Sequence, residues 1–239
     1  MKLLSYCIAA LFIIGCTSNE QRINKLSSAQ QREGWKLLFD GKSLNGWHLY
    51  NLGDTSSKWT VKDGELICDP RKPDGVFADL VSDSSYRDFE LLFDWKVAKG
   101  GNSGVFINVE EDAKYATTFA TGLEMQLLDN AHAEERHKKD STHWAGCLYG
   151  VDCKGADSNP APYNSWNRGR IKQQDGIVSF WLNDKLTFTS DINSATFKQH
   201  VADSHMKAYP DFATYSNGKI ALQNHTDSIA FRNIFIKPL

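Results

Sequence analysis

The chain has 239 residues and a formal net charge of −2, with 27 Lys and Arg residues against 29 Asp and Glu residues. Hydrophobic residues make up 41% and charged residues 23%, a composition that excludes a long disordered chain. The near-neutral balance argues against an electrostatic nucleic-acid binder, which needs a basic excess on one face. Aromatic residues make up 12%, which suits β-structure and also surfaces that stack on flat ligands or sugar rings.

The first residues have the pattern of an export signal. Lys2 precedes an apolar run that ends at Gly15-Cys16 and is too short to span a bilayer as a helix. This end resembles a bacterial lipobox, so residues 1–15 are predicted to be a lipoprotein signal peptide. Acylated Cys16 would then anchor the protein to a bacterial membrane, on the periplasmic side or at the cell surface. The alternative is an ordinary signal peptide with a chance cysteine. The polar residues 16–33 are predicted to be a flexible tether.

The rest of the chain shows the period-two alternation of apolar residues that is typical of β-strands. In residues 89–97 every odd position is apolar, so one face of this strand should lie in a core. The same pattern predicts further strands over 104–109, 123–128, 177–182, 186–189, 219–225 and 229–236.

Turn sequences join several of these strands. Asn183-Asp184-Lys185 predicts one hairpin, and Thr226-Asp227-Ser228 predicts a second one between the last two strands. Helical periodicity is weak and predicts only short helices over 131–139 and 195–200. We therefore expect one all-β domain over 34–239, a two-sheet sandwich of jelly-roll type.

The strand 123–128 carries the first candidate catalytic group. Its odd positions are apolar, so the side chains of Glu124 and Gln126 should share the opposite face. Asp129 has the wrong parity for that face unless the strand bulges or ends before it. The alternative interpretation is a strand with an ordinary polar outer face.

Two further segments would bring polar groups to the same groove. Gln223 and His225 share the outer face of the predicted strand 219–225, although a lone His on a strand is more often structural or solvated. Asn102 lies in a glycine-rich stretch that opens a strand, where the backbone can approach a ligand closely and the amide can bind hydroxyl groups. A plain turn explains that stretch as well.

Two pairs of neighbouring residues combine an aromatic ring with a polar group, as a sugar site requires. These pairs are His143-Trp144 and Trp166-Asn167. Core packing explains each tryptophan separately. His132, His137 and His143 match no metal-binding spacing and are interpreted as part of a solvated charged loop.

The cysteine pattern leaves two interpretations open. Export permits a disulfide between Cys147 and Cys153, but two buried free thiols explain their spacing equally well. Cys68 would remain unpaired. No CxxC pair is present, which disfavours a structural zinc site.

Ordered segments along the chain resemble the 3-keto-disaccharide hydrolase domain family, also called DUF1080. The resemblance begins with Gly34-Trp35-Lys36-Leu37-Leu38-Phe39-Asp40-Gly41 and closes with Phe231-Arg232-Asn233-Ile234. Between them lie Asp63-Gly64-Glu65-Leu66, Gly101-Asn102-Ser103-Gly104-Val105, Glu124-Met125-Gln126, Trp166-Asn167, Trp181-Leu182-Asn183 and Ala221-Leu222-Gln223-Asn224-His225. The resemblance implies a concanavalin A-like sandwich and activity on oxidised glycosides.

A 3-keto sugar permits cleavage by elimination, because the ketone makes the proton on C2 acidic. Laminarinase-like enzymes of this fold carry alternating acids on one strand, and here Gln126 stands in the middle, which disfavours a direct retaining mechanism. We assign Glu124 or His225 as the base, with Asp129 or His143 assisting. The substrate-binding residues are then predicted to be Asn102, Gln126, Trp144, Trp166, Asn167 and Gln223.

Three matters stay open in the sequence. A divalent metal held by Glu124 and His225 would polarise the keto oxygen, but no spacing requires one. The alternative function is a non-catalytic, lipid-anchored glycan-binding module, which needs aromatic and amide groups but no titrating base. The carbohydrate and the membrane at the lipid anchor are the expected partners, and the oligomeric state is not determined.

Overall fold

The structure, a computed structural model, describes residues 23–53 and 55–239. The predicted signal peptide and Cys16 lie outside these residues. No helix in the described part of the chain is long and apolar enough to cross a membrane. The helices are α1 Ser28–Arg32, α2 Glu135–Lys138 and α3 Ala195–Asp203, with 3-10 helices at Thr118–Ala120, Ser141–His143, Gly155–Asp157 and His205–Ala208. The strands are β1 Lys36–Leu37, β2 Trp47–Leu49, β3 Trp59–Lys62, β4 Glu65–Cys68, β5 Leu80–Tyr86, β6 Phe89–Val97, β7 Asn102–Val109, β8 Leu123–Leu128, β9 Asn167–Gln174, β10 Ile177–Leu182, β11 Lys185–Asp191, β12 Gly218–Leu222 and β13 Ile229–Pro238.

The strands form two antiparallel sheets that share one apolar core. The larger sheet has the order β11-β10-β9-β6-β13-β4-β3, and β1 pairs with β13. The smaller sheet has the order β2-β5-β12-β7-β8. Apolar side chains of both sheets, such as Phe93 and Trp95 from the larger and Val105 and Met125 from the smaller, join a single cluster. The predicted jelly-roll sandwich is confirmed.

Strong alternation and a clear turn sequence located several strands correctly. The bounds of β6, β8 and β10 are those predicted, and β7 begins two residues earlier than expected. Asn183 and Asp184 have φ angles of 48° and 66°, as the two central residues of a tight hairpin turn require. Their side chains tolerate this conformation because Asn and Asp enter the left-handed region more easily than most residues.

The second predicted hairpin is wrong. The strand expected over 219–225 ends at Leu222, and β12 pairs with β5 and β7 in the smaller sheet. Its expected partner β13 pairs with β4 and β6 in the larger sheet. Residues 223–228 therefore cross from one sheet to the other. Alternation shows that both strands face a core, but it does not show to which sheet each belongs.

The smaller sheet is covered on its outer face as well as its inner face. Every residue of β7 and β8 is buried, so the alternative interpretation of 123–128, a strand with an ordinary polar outer face, does not hold. The segments that follow β8 and β11 supply this cover, with α2 and the 3-10 helix His205–Ala208. The helix α2 is shorter than predicted, and α3 extends three residues beyond the predicted end.

Part of the predicted tether is attached to the domain. The main-chain N–H of Asn24 donates to Asn233 Oδ1, and the main-chain N–H of Asn233 donates to Asn24 Oδ1, both at 2.7 Å. Ser27 and Gln30 then form a capping box at the start of α1. Residues 23–33 are thus structured, and free flexibility was the wrong expectation for them.

Candidate active site

The outer face of the smaller sheet carries a cavity of about 220 Å³, called the first cavity. It contains five of the side chains predicted from the sequence, from β7, β8 and the segment that follows β12. The loops and helices that cover the sheet complete its walls. The lining residues are Asn102, Phe119, Glu124, Gln126, Arg136, Tyr149, His205, Met206, Tyr209, Gln223 and His225.

Glu124 is the carboxylic acid of the first cavity. It is only 7% exposed, and its carboxyl group lies against Gly104 of the neighbouring strand, where a Cβ atom would collide with it. Burial, and to a smaller extent the charge of Asp79, raises the pKa of Glu124 well above its ordinary value of 4.5. Because burial disfavours the charged form, Glu124 holds a proton well above the pH at which an exposed Glu loses it.

Asp79 was missed in the sequence, where no pattern singles it out. Its carboxylate accepts hydrogen bonds from Thr118 Oγ1 at 2.5 Å and from the main-chain N–H of Asn224 at 2.8 Å. Burial raises the pKa of Asp79 to about 6, against the effect of these hydrogen bonds. Asp79 therefore fixes the main chain between Gln223 and His225 and also helps to keep Glu124 protonated.

His225 provides a basic nitrogen, which can accept a proton, whereas Glu124 holds one. The Thr226 hydroxyl donates to Asp227 at 3.1 Å, so its oxygen is left to accept from His225 Nδ1–H at 3.0 Å. This arrangement leaves the lone pair on Nε2. Burial lowers the pKa of His225 below its ordinary value of 6.5, although Asp227 opposes the shift. His225 is therefore neutral at pH 7 and able to take a proton.

Three amide side chains stand around these two groups. Gln126 Nε2 and Gln223 Oε1 are buried and have no hydrogen-bond partner within the described ranges. The main-chain N–H of Gln223 donates to the carbonyl oxygen of Gly104 at 2.9 Å, which fixes this residue beside β7. Asn102 Nδ2 donates to His137 Nε2 at 3.3 Å. Buried polar atoms are usually paired, so the free donor of Gln126 and the free acceptor of Gln223 suit the hydroxyl and carbonyl groups of a ligand.

Sequence reasoning missed six of the lining residues, and Arg136, Tyr149 and His205 are among them. Arg136 lies in the segment interpreted as a solvated loop, and its charge enters the first cavity from α2 while Glu134 pairs with it at 2.6 Å. The ring of His205 occupies the space where Gly150 lacks a side chain. The signal for Tyr149 was its position inside the short loop between Cys147 and Cys153.

A disulfide joins Cys147 to Cys153, which decides between the two interpretations of these cysteines. Residues 146–149 run along the edge of β8: the main-chain N–H of Gln126 donates to the Cys147 carbonyl oxygen at 3.0 Å. The N–H of Tyr149 donates to the Glu124 carbonyl oxygen at 3.1 Å. The disulfide thus closes the loop that holds Tyr149 beside Glu124. Cys68 is a free, buried thiol.

His143, predicted to assist catalysis, does not line the first cavity. Its ring stacks on Tyr149 with a centroid distance of 4.6 Å, and burial lowers its pKa. His137 is 2% exposed and packs 5.2 Å from His143, so the expectation of a solvated loop is wrong for this residue. Both rings support the wall of the first cavity from behind.

Asp129 and Trp144 line a separate cavity of about 510 Å³, called the second cavity. The strand β8 ends at Leu128, so Asp129 does not continue the face of Glu124. Its carboxylate instead accepts from the Gly100 main-chain N–H at 2.9 Å and contacts His132 Nδ1 at 2.8 Å. The structure therefore places neither residue with Glu124 and His225.

Trp166 and Asn167 line neither cavity: Asn167 begins β9 of the larger sheet, and Trp166 precedes it. Arg232 and Lys96 lie over the ring of Trp166, at 3.9 and 4.5 Å from its centroid. Asn167 Oδ1 accepts hydrogen bonds from the Ala161 main chain and from Asn183, which fixes the start of β9 and the hairpin turn. Tertiary packing explains both residues without a sugar.

The donor set of the first cavity does not fit a metal ion. Across residues 23–53 and 55–239, no group of three or more His, Cys, Asp or Glu side chains has an arrangement that would hold one. Glu124 and His225, the pair considered as ligands, supply only two donors.

Comparison with known proteins agrees with this fold. A protein of Bacteroides thetaiotaomicron (strain VPI-5482) named 3-keto-disaccharide hydrolase is 26% identical, over 99% of this chain and 97% of its own. A crystal structure from Parabacteroides distasonis, named as a candidate glycosyl hydrolase, is 32% identical with a TM-score of 0.83, over 91% of this chain and all of its own. A second crystal structure from the same species is 25% identical with a TM-score of 0.63, over 86% of this chain and 99% of its own. A family model described as the 3-keto-alpha-glucoside-1,2-lyase-like domain matches residues 34–237, and the chain therefore belongs to that family.

Proposed function

We propose that the protein cleaves the glycosidic bond of 3-keto-glycosides by elimination between C1 and C2, and that the first cavity is its active site. Family membership supports a glycoside-cleaving enzyme, and the name of the B. thetaiotaomicron relative supports an oxidised disaccharide as the substrate. The observation that carries the proposal is the pairing of Glu124 and His225 in one cavity with pKa values shifted in opposite directions. Such a divergence separates an acid from a base.

The roles follow from the protonation states. His225 Nε2 takes the proton from C2, and the electrons of the C2–H bond form an enolate with the C3 ketone. Gln126 Nε2 and the Arg136 cation would stabilise the charge on the enolate oxygen. The enolate then expels the C1 oxygen, which takes the proton of Glu124, and a C1–C2 double bond forms. Water adding to C1 would complete a hydrolysis, and exchange with solvent restores both side chains.

The decisive experiment measures release of the leaving group from a 3-keto-glucoside. We expect Glu124→Gln and His225→Ala to lower kcat by about 10²- to 10⁴-fold, the usual range for general acid and base groups. Glu135→Gln and His200→Ala are matched controls, because these residues line neither cavity; Glu135 is exposed and His200 is half-buried. The controls should keep the wild-type rate.

Each competing function has its own result in the same assay. A wild-type rate for Glu124→Gln or His225→Ala would contradict the role assigned to the substituted residue. Cleavage of the unoxidised glucoside at a comparable rate would indicate an ordinary glycosidase. Binding of the 3-keto-glucoside without cleavage would indicate the glycan-binding module.

A further inference from the structure

We propose that the second cavity binds an unoxidised pyranose ring of the same oligosaccharide whose oxidised ring occupies the first cavity. This rests on the proposed function, because the ligand is taken to be the leaving group of that reaction. The second cavity is about 510 Å³ in volume and is separate from the first. Its lining combines aromatic and apolar walls with one rigidly held polar ring.

The walls suit the apolar face of a sugar. Trp144 and Tyr163 line the second cavity together with Pro160 and Pro162. The indole N–H of Trp144 donates to the His137 carbonyl oxygen at 3.1 Å, which fixes the plane of its ring. Tyr163 is 37% exposed, a large fraction for an aromatic ring beside a cavity. Rigid aromatic rings bury the C–H groups of a flat ligand at little entropic cost, so these walls favour a pyranose over a charged ligand.

The polar part of the second cavity is built from a buried carboxylate. Asp129 is 4% exposed and contacts His132 Nδ1 at 2.8 Å, so it orients the imidazole ring. His132 also packs edge-on against Tyr163 with a centroid distance of 5.3 Å. Because Nδ1 faces Asp129, the ring presents its other nitrogen, Nε2, for a hydrogen bond with a sugar hydroxyl.

The two cavities lie along one strand. Gln126 lines the first cavity, and Asp129 and Asn130 follow the end of the same strand in the second. At about 3.3 Å per extended residue, Gln126 and Asn130 are at most about 13 Å apart, a distance that an oligosaccharide can cover. The helix α2 stands beside both, since Arg136 lines the first cavity and Lys138 the second. This arrangement fits one ligand with its oxidised ring at Glu124 and a later ring at Trp144.

The test compares a one-ring substrate with a three-ring substrate. We expect Tyr163→Ala and His132→Ala to lower kcat/KM at least ten-fold for maltotriose oxidised at C3 of its non-reducing terminal ring. For methyl 3-keto-α-glucoside, which cannot reach the second cavity, kcat/KM should stay within two-fold of wild type. Ile177→Ala is the control, because this exposed apolar side chain lies on the larger sheet. Equal effects on both substrates, or none on either, would overturn the proposal.

A binding measurement separates this proposal from the proposed function. If the wild-type protein cleaves neither substrate, the proposed function fails, and calorimetric titration with unmodified maltotriose decides the second cavity. Binding that Tyr163→Ala weakens at least ten-fold supports a sugar site there. No binding by the wild-type protein, or equal binding by the variant, would overturn it.

Discussion

Glu124 and His225 each carry a group that can give or take a proton, and the sequence leaves either as the base. Their surroundings separate them. Glu124 is buried near a second carboxylate, Asp79, so its neutral form is favoured. His225 is half-buried, and this partial burial also favours the neutral form, which for an imidazole is the base. The same loss of solvent therefore makes an acid of one residue and a base of the other.

The raised pKa of Glu124 predicts how stability depends on pH. A carboxyl group whose folded-state pKa exceeds its unfolded value stabilises the fold fully below the unfolded value, and this stability is lost as pH rises through the folded one. Glutamine does not titrate. We therefore expect the difference in Tm between Glu124→Gln and the wild type to shift in favour of the variant as pH rises from 5 to 8. The shift should be about 2–4 °C for each kcal/mol of stability that the wild type loses over this range. A constant difference in Tm across this range would show that Glu124 titrates normally.

Gly104 gives a second prediction for a single residue. A methyl group at this position would occupy the space of the Glu124 carboxyl group, and Gly104 has no positive φ that would strain an alanine. Gly104→Ala should therefore lower kcat at least ten-fold, since a displaced acid no longer meets the leaving oxygen. Gly155→Ala is the matched control, because the atoms nearest to its added methyl group belong to Ser141 and Trp144, at 3.1 Å or more, and not to Glu124. A fully active Gly104→Ala enzyme would argue against Glu124 as the acid.

Among the elements, β8 and the loop beside it form the functional unit. The strand alone positions Glu124 and Gln126, but Tyr149 reaches the first cavity only because residues 146–149 pair with the edge of β8. The disulfide closes this loop over a separation of six residues. We therefore expect reduction of this disulfide to change the shape of the first cavity.

Opening this loop should weaken both stability and substrate binding. Cys153→Ser removes a short cross-link that contributes about 2 kcal/mol. For a chain of this size we expect Tm to fall by about 4–8 °C. KM should rise several-fold because Tyr149 loses its fixed position. Dithiothreitol should reproduce the effect in the wild type and add nothing in the variant, whereas an unchanged KM would show that hydrogen bonds alone hold the loop.

At the scale of the whole molecule, the sandwich brings distant parts of the chain to one place. The segment after β12 crosses between the sheets, and this crossing delivers Gln223 and His225 to β7 and β8. The N-terminal end of the described chain is attached through Asn24 to Asn233, 209 positions later. The residues before this attachment point contain the predicted anchor Cys16, so a lipid there would hold the whole domain at a membrane surface.

The lipid anchor gives a prediction for the entire protein. In a bacterium that processes lipoproteins, we expect the wild-type chain to sediment with the membrane fraction. Cys16→Ser should move most of it into the soluble or unprocessed fraction, because acylation needs the thiol. Substitution of Cys68, a buried residue, should leave the distribution unchanged. A wild-type protein found in the soluble periplasmic fraction would instead favour an ordinary signal peptide.

The sequence by itself determined the fold class, most strand positions and one half of the first cavity. Period-two alternation reports which face of a strand meets a core, and it therefore placed Glu124 and Gln126 on one outer face. The resemblance in ordered motifs added the expectation of an oxidised glycoside.

Tertiary structure decided the rest, because alternation carries no information about partners. It decided that β12 and β13 lie in different sheets and that Trp166 packs against Arg232 of the larger sheet. It also decided that Asp129 orients His132 in the second cavity. It also decided the chemistry of Glu124, since a pKa depends on burial and on nearby charges such as Asp79, which are far apart in sequence and close only in the folded chain.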